Sequence, residues 1–368
     1  MIAPDRVSRR SDLNSGMPNS IQPVVSLPEP VLRLLEKVWR WGVGRARKKA
    51  LAKTRSGEWP LRLSVPVISL GNITVGGTGK TPTVLALAKA WQERGGHPGI
   101  LSRGYRSERG GGSEGQLSGN DEFRLLKEKL PDVPHFQHKD RFHAGQLMLA
   151  QHPQVDLILL DDGYQHRQLH RDLNILLCDA LDPFGGGYCL PLGRLREPVD
   201  GVSRADHVLL TRSERCSAEW LDQVKSYFKQ MHPGLPVDPA FTELRGFRSL
   251  SGDDFPAENV GTCLAFSAIG EPDGFLHTLK SAGVTPRHEV RFPDHHHYRV
   301  RDLDSLIRQA DEHHCESLVC TAKDAVKVAK LPLSESVAAR IKVLEVGLDL
   351  PVEKILDRIQ GNQFCRDA

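Results

Sequence analysis

Pro66-Val-Ile-Ser-Leu-Gly-Asn-Ile-Thr-Val-Gly-Gly-Thr-Gly-Lys-Thr-Pro82 is the stretch from which the rest of the chain can be read. Residues 67–70 form a short β-type run. They feed a glycine-dense turn that closes on Gly79-Lys80-Thr81. Val84, Leu87, Ala88 and Trp91 then recur at helical spacing, and Pro82 falls in the first turn, where a missing N–H costs nothing. Strand, glycine loop, Gly-Lys-Thr and helix are the parts of a phosphate-cradling P-loop. In that reading Thr74, Val75, Gly76, Gly77, Thr78, Gly79, Lys80 and Thr81 wrap a nucleotide's phosphates. Main-chain amides and the helix N-terminus supply partial positive charge, Lys80 reaches the β/γ-phosphates, and Thr81 ligates magnesium. The strict pattern asks for glycine where this chain has Thr74, and Gly76 and Gly77 supply the flexibility instead. The plainer alternative is a glycine-rich strand-to-helix turn that binds nothing.

The 368 residues suggest two domains, each large enough for its own core. A hydrophobic content of 39% and a charged content of 26% are those of an ordinary globular protein. A net charge of +3 is too small to imply nucleic acid as a partner. The seven cysteines include no Cys-x-x-Cys pair, which argues against a zinc ribbon or a disulfide framework and fits a reducing compartment. No apolar run has the length of a membrane span, and no apolar core follows the N-terminal arginines as a signal peptide would require.

Residues 1–28 are polar and rich in Ser, Pro and Asn, and are expected to be a disordered extension, with Met17 an alternative start. Residues 29–55 change character. Val31, Leu34, Leu35, Val38 and Trp41 share one helical face, while Arg33, Lys37, Arg40, Arg45, Arg47, Lys48, Lys49 and Lys53 supply charge. Such a helix suits an anionic membrane surface, or else it packs its apolar face on the core and leaves a solvated basic side. Strands are expected at 99–102, 173–177 and 208–211, and a helix carrying Phe123, Leu126 and Leu130. Residues 109–115 beside Asp121-Glu122 suggest a lid over a site, or a surface loop with an N-cap aspartate. Residues 155–160 are an apolar run ending in Asp161-Asp162, a Walker B pattern that brings carboxylates near magnesium. The alternation of strand and helix predicts an α/β fold with a P-loop-type parallel sheet, helices on both faces, over 56–215. A linker at 216–240 would then lead to a second, smaller α/β domain at 241–368, with strands at 263–267, 318–321 and 341–346 and a helical stripe of Val300, Leu303, Leu306, Ile307 and Ala310.

Asp294-His295-His296-His297 could hold a metal with help from His313-His314, or could be a loop that brings one catalytic histidine to a cleft. If the run is extended, His295 and His297 share a face. Arg194 and Arg196 could clamp phosphate, since a guanidinium matches its oxygens in pairs, or could be surface residues. Thr321-Ala-Lys323-Asp324 is one residue out of step with a guanine-reading motif and makes no case for GTP.

With the motif 66–82 stand Ser102-Arg-Gly-Tyr105, Asp121-Glu122, Asp161-Asp-Gly-Tyr-Gln-His166, Leu190-Pro-Leu-Gly-Arg-Leu-Arg-Glu197, Phe292-Pro-Asp-His295 and Thr321-Ala-Lys-Asp-Ala-Val-Lys327. Together, over residues from about 30 to about 350, they make the chain resemble the tetraacyldisaccharide 4′-kinases, the lipid A 4′-kinase family. The family also lacks the first P-loop glycine. The resemblance implies transfer of the γ-phosphate of ATP, with Mg²⁺, to the 4′-hydroxyl of a tetraacylated glucosamine disaccharide 1-phosphate. It implies a peripheral enzyme at the cytoplasmic face of the inner membrane, and it tips the basic helix toward that membrane; a monomer is expected. On its motifs Asp121 matches the catalytic acid–base position and His295 its partner. Glu122, Asp161 and Asp162 match the magnesium-organising acids, and Arg196 matches a substrate- or phosphate-contacting arginine.

Two departures stand out. The family's usual Gly-Asp-Glu reads Gly119-Asn-Asp-Glu122 here, and its Thr-Glu-Lys reads Thr321-Ala-Lys323, which loses a carboxylate at Ala322. The alternative is a membrane-associated regulatory ATPase of the partition or division-site type, although Val75 stands where those proteins carry a signature lysine. A nucleotide-gated binding module without phosphotransfer is a third reading.

Overall fold

The computed structural model describes residues 23–104 and 121–364. Residues 1–22, with Met17, and 105–120, with Tyr105, the expected lid and Gly119-Asn120, lie outside the described residues. In chain order come helix α1 (Glu29–Arg55), strand β1 (Val67–Gly71), α2 (Lys80–Glu93), β2 (Pro98–Ser102), α3 (Asp121–Lys129), β3 (His135–Gln137), α4 (Arg141–Gln151) and β4 (Leu157–Asp161). Next are β5 (Leu173–Asp179), β6 (His207–Thr211), α5 (Ala218–Met231), β7 (Val237–Pro239), β8 (Phe241–Ser249), β9 (Asp254–Phe255), β10 (Cys263–Ser267) and α6 (Pro272–Ser281). The chain ends with β11 (His288–Arg291), α7 (Val300–Glu312), β12 (Ser317–Thr321), α8 (Ala322–Val328), α9 (Glu335–Arg340), β13 (Ile341–Asp349) and α10 (Val352–Phe364). Two compact units result, and each takes two chain segments: Met1–Thr78 with Asp162–Pro239, and Gly79–Asp161 with Ala240–Ala368. The sequence by itself suggests consecutive domains at 56–215 and 241–368.

In the first unit β1, β5, β6 and β7 run parallel in that order, with Ile68 opposite Leu173 and Leu176 opposite Val208. Every residue of β1, β5 and β6 is buried. Parallel strands covered by helices read as unbroken apolar runs for this reason. Ile73, Tyr164, Leu176, Leu210 and Phe228 form the core, and the Tyr164 hydroxyl donates to the Gly201 carbonyl at 2.8 Å. The expected linker 216–240 instead carries α5, capped by the Ser217 hydroxyl accepting from Trp220 N–H, and the edge strand β7. A three-residue, half-buried strand is too short to show a period, so its sequence gives no sign of it.

Helix α1 is continuous through Gly42 and Gly44. Glu29 in its first turn and Lys53 and Arg55 in its last oppose the helix dipole favourably. It docks through Leu32, Glu36 and Ala50, which are buried, and through the Trp39 indole N–H, which donates to the Arg196 carbonyl at 2.9 Å. The stripe of Val31, Leu34, Leu35, Val38 and Trp41 is exposed. Core packing of that face is therefore not the arrangement found.

The second unit holds β3, β2 and β4, also parallel and in that order, with α2, α3 and α4. Thr81, Val84, Leu87, Ala88 and Trp91 of α2 are buried, so the helical stripe read from sequence is the packed face. With the four strands above, this makes seven parallel strands flanked by helices, the P-loop class expected. The unit also contains a mixed six-stranded sheet, β11-β10-β12-β13-β8-β9, in which β8 is antiparallel to both neighbours. Alternate residues of its strands supply two separate cores. Leu264, Phe266, Leu318, Cys320 and Val343 lie in one, and Cys263, Ala265, Val319 and Leu344 in the other.

Candidate active site

The glycine loop leaves β1 and is shaped by its neighbours in the first unit. Val75 N–H donates to the Arg194 carbonyl at 2.7 Å, and the Arg194 guanidinium returns hydrogen bonds to the Val75 carbonyl at 3.1 and 3.3 Å. Thr74 forms an antiparallel bridge with Leu195 and is buried. Gly76 has φ of +112°, and a Cβ there would lie 2.7 Å from Arg194 Nη2. Glycine is thus needed at 76, whereas position 74 has no positive φ and accommodates threonine. Arg212, at the end of β6, donates to the Gly77 carbonyl and to Asp179. Arg196 Nη1 donates to both oxygens of Asp162, at 2.9 and 3.1 Å, so a single nitrogen is shared between them. Asp162 itself has φ of +49°.

In the second unit Gly79, with φ of +76°, caps α2, so Lys80 and Thr81 open the helix where amides lack intrahelical partners. Asp161 ends β4 and is buried. Asp121 and Glu122 open α3. Asp121 Oδ2 lies 3.4 Å from His295 Nδ1 and 3.3 Å from Lys327 Nζ. Burial pushes the Asp121 carboxyl up, but the His295 hydrogen bond and the Lys327 charge outweigh it, and the net shift is down. The hydrogen bond to Asp121 holds His295 above the usual imidazole value. For Glu122 burial likewise acts upward and is outweighed by Lys323, 3.1 Å away, together with Lys80 and His295. The Lys80 charge thus adds to the downward shift of the residue next to Asp121.

The histidine run is not extended. His295 adopts φ of +62° in a turn, so the two-residue alternation of side chains does not apply. His296 stacks on Phe292 and hydrogen-bonds Asp302 at 3.0 Å, while His313 stacks on His288. The Thr321-Ala-Lys323-Asp324 segment is a helix cap: Thr321 accepts from Asp324 N–H, and its hydroxyl donates to the Asp324 carboxylate at 2.7 Å.

The family described as tetraacyldisaccharide-1-P 4′-kinase, LpxK, matches residues 29–361. The chain belongs to that family. The tetraacyldisaccharide 4′-kinase of Halothermothrix orenii is 31% identical over 354 residues, covering 90% of this chain and 91% of the relative. That of Syntrophobacter fumaroxidans is 36% identical, covering 81% and 79%. The crystal structure of LpxK from Aquifex aeolicus in complex with ATP superposes with a TM-score of 0.68 at 26% identity, covering 89% of this chain and 96% of that one.

Within this LpxK fold the second unit brings together Lys80, Asp121, Glu122 and His295, which are far apart in sequence. In the first unit Arg196 meets Asp162, while Arg194 holds the Val75 carbonyl. Motifs alone give Lys323, Asp324 and Lys327 no role, and they single out neither Tyr298 nor Arg212. Spacing holds a signal for one pair, since Asp324 and Lys327 are three apart and share a helix face. Arg212 is marked by its place at the C-terminal end of a parallel strand, where α/β sheets bind ligands.

Proposed function

We propose that this chain transfers the γ-phosphate of ATP to the 4′-hydroxyl of a tetraacylated glucosamine disaccharide 1-phosphate. Membership of the kinase family and the likeness to an ATP-bound relative support the reading. The observation that carries it is the Asp121–His295 pair beside Glu122, on which Lys80 acts. Residues 74–81 cradle the triphosphate, with Lys80 at its β/γ end. Asp121 takes the proton that the sugar hydroxyl loses as it attacks phosphorus, and His295 holds the carboxylate in place. Arg196, paired with Asp162, is poised to exchange that partner for phosphate.

Magnesium suits the donors assigned to it. The Thr81 hydroxyl and the carboxylates of Glu122, Asp161 and Asp162 are all hard oxygen ligands. Among the described residues no group of three or more His, Cys, Asp or Glu side chains gathers as a metal cage. Mg²⁺ asks for only one or two carboxylates beside phosphate oxygens and water. When bound, it would neutralise charge developing on the phosphates.

Helix α1 presents its apolar stripe and its lysines and arginines to an anionic bilayer. The enzyme is then peripheral at the cytoplasmic face of the inner membrane, where a four-chain substrate resides. Among the described residues no helix is long and apolar enough to cross a membrane. Nothing observed favours the regulatory ATPase.

The test is incubation of the protein with γ-³²P-labelled ATP and the acylated disaccharide 1-phosphate. Label should enter the lipid readily with the wild-type chain and only at a small residual rate with Asp121→Ala or Lys80→Ala. ATP hydrolysis without labelled lipid would overturn the assignment.

A further inference from the structure

Lys327 lies on α8, and its side chain is only 5% exposed. Its ammonium sits 3.3 Å from Asp121 Oδ2 and 3.6 Å from Asp324 Oδ1. Burying a lysine this deeply costs free energy unless its charge is matched, so the two carboxylates define its place. Asp324 is fully buried and saturated with donors. Tyr298 hydroxyl reaches Oδ1 at 3.0 Å, Ala268 N–H reaches the same oxygen at 3.1 Å, and the Thr321 hydroxyl reaches Oδ2 at 2.7 Å. The Ala268 carbonyl in turn accepts from the main-chain N–H of His295 at 3.3 Å. One buried carboxylate thus fixes the lysine that touches Asp121, and Ala268, which donates to that carboxylate, also holds the turn bearing His295.

The contacts on Asp121 are uneven. Both the imidazole of His295 and the ammonium of Lys327 address Oδ2, whereas Arg124 approaches Oδ1 no closer than 4.0 Å. A carboxylate gripped by one oxygen from two directions cannot rotate freely, and its other oxygen, which no hydrogen bond reaches among the described residues, is left to receive a proton.

We propose that Lys327, locked by Asp324, is a positioning residue for the phosphoryl transfer: it clamps Asp121 through Oδ2 and leaves Oδ1 as the oxygen that accepts the proton of the sugar hydroxyl. The inference rests on the reading of Asp121 as the base. It goes beyond that reading in naming the oxygen and the cation that orients it.

The experiment is a double-mutant cycle on the full chain, using the labelled-lipid assay with melting curves and ATP affinity measured on each variant. Lys327→Met should lower kcat about a hundredfold, the size of effect that a misplaced reacting group produces, with KM for ATP within about threefold of wild type. Lys327→Arg should recover at least a tenth of the lost rate, on the order expected of a cation restored at slightly altered geometry. In an Asp121→Ala background Lys327→Met should change the residual rate by less than about threefold, since the lysine acts only through that carboxylate. Near-normal kcat in Lys327→Met, or an equal loss in both backgrounds, overturns the proposal. If Lys327→Met does not fold, Tyr298→Phe passes through the same cycle. It should lose about tenfold in kcat in the wild-type background alone, and an equal loss in both backgrounds again overturns the proposal. Absence of labelled lipid with the wild-type chain would instead overturn the kinase reading, and this inference with it.

Discussion

Replacing Leu34, Val38 and Trp41 by serine tests what the N-terminal helix is for. These side chains are 62%, 58% and 66% exposed and lie along one stripe of α1. Full burial of a Val or Leu side chain is worth about 1.5–3 kcal/mol, so three-fifths of that, about 1–2 kcal/mol, remains to be gained by each in a bilayer. Trp41 is larger and contributes at least as much. The triple variant should therefore lose about 3–5 kcal/mol of membrane partitioning, a fall of about a hundred- to several thousandfold. The basic residues stay, so the residual binding should become more sensitive to salt. Folding should scarcely change, because these side chains are mostly in solvent. Serine at 41 removes the ring beneath the Arg45 guanidinium, which lies 5.6 Å from its centroid, and an exposed cation–π pair of this kind is worth about 0.5–1 kcal/mol. The assay is co-sedimentation with anionic vesicles, paired with thermal unfolding. A vesicle-bound fraction within a few-fold of wild type would refute the argument, and so would a variant that is substantially destabilised.

The His295 imidazole should titrate above its ordinary value of about 6.5 when followed by NMR, and Asp121→Asn should bring it down. A raised histidine stabilises the fold fully below its unfolded value and less as pH climbs through the folded one. The depressed Asp121 contributes above its unfolded value and is lost as pH falls through the folded one. The pair should thus be most stabilising between those limits, and a His295 midpoint unaffected by Asp121→Asn would count against it. Gly76→Ala should cost about 1–3 kcal/mol in backbone strain and push Arg194 from the Val75 carbonyl. Calorimetry should then show ATP affinity reduced at least tenfold, and unchanged affinity would contradict the P-loop geometry. Trp91→Phe removes the indole donor 2.6 Å from Asp156, but His97 N–H still holds that carboxylate. Urea unfolding should register a loss of about 1 kcal/mol, and a loss of several would mean that the indole supports more than this bond.

Local chemistry determined what could be read without coordinates. Strand β1, the glycine loop and α2 were visible because phosphate binding imposes glycine, lysine and threonine at fixed spacing. Strands β4, β5, β6, β10 and β12 were visible because strands buried on both faces are uninterrupted apolar runs. The short strand β7 and helix α8 carry no such period, since three and seven residues are too few to repeat one. Resemblance supplied Asp121 and His295, which lie 174 positions apart and share no pattern. What only the folded chain decided is which charges meet. Asp162 is paired with Arg196, one oxygen of Asp121 is shared by His295 and Lys327, and Asp324 is enclosed by Tyr298, Thr321 and the Ala268 amide. The apolar side of α1 likewise faces outward, although the same sequence would suit a helix packed inward. Periodicity reports which residues share a face, but burial and pairing depend on what the rest of the chain places opposite, and that is a property of the tertiary structure alone.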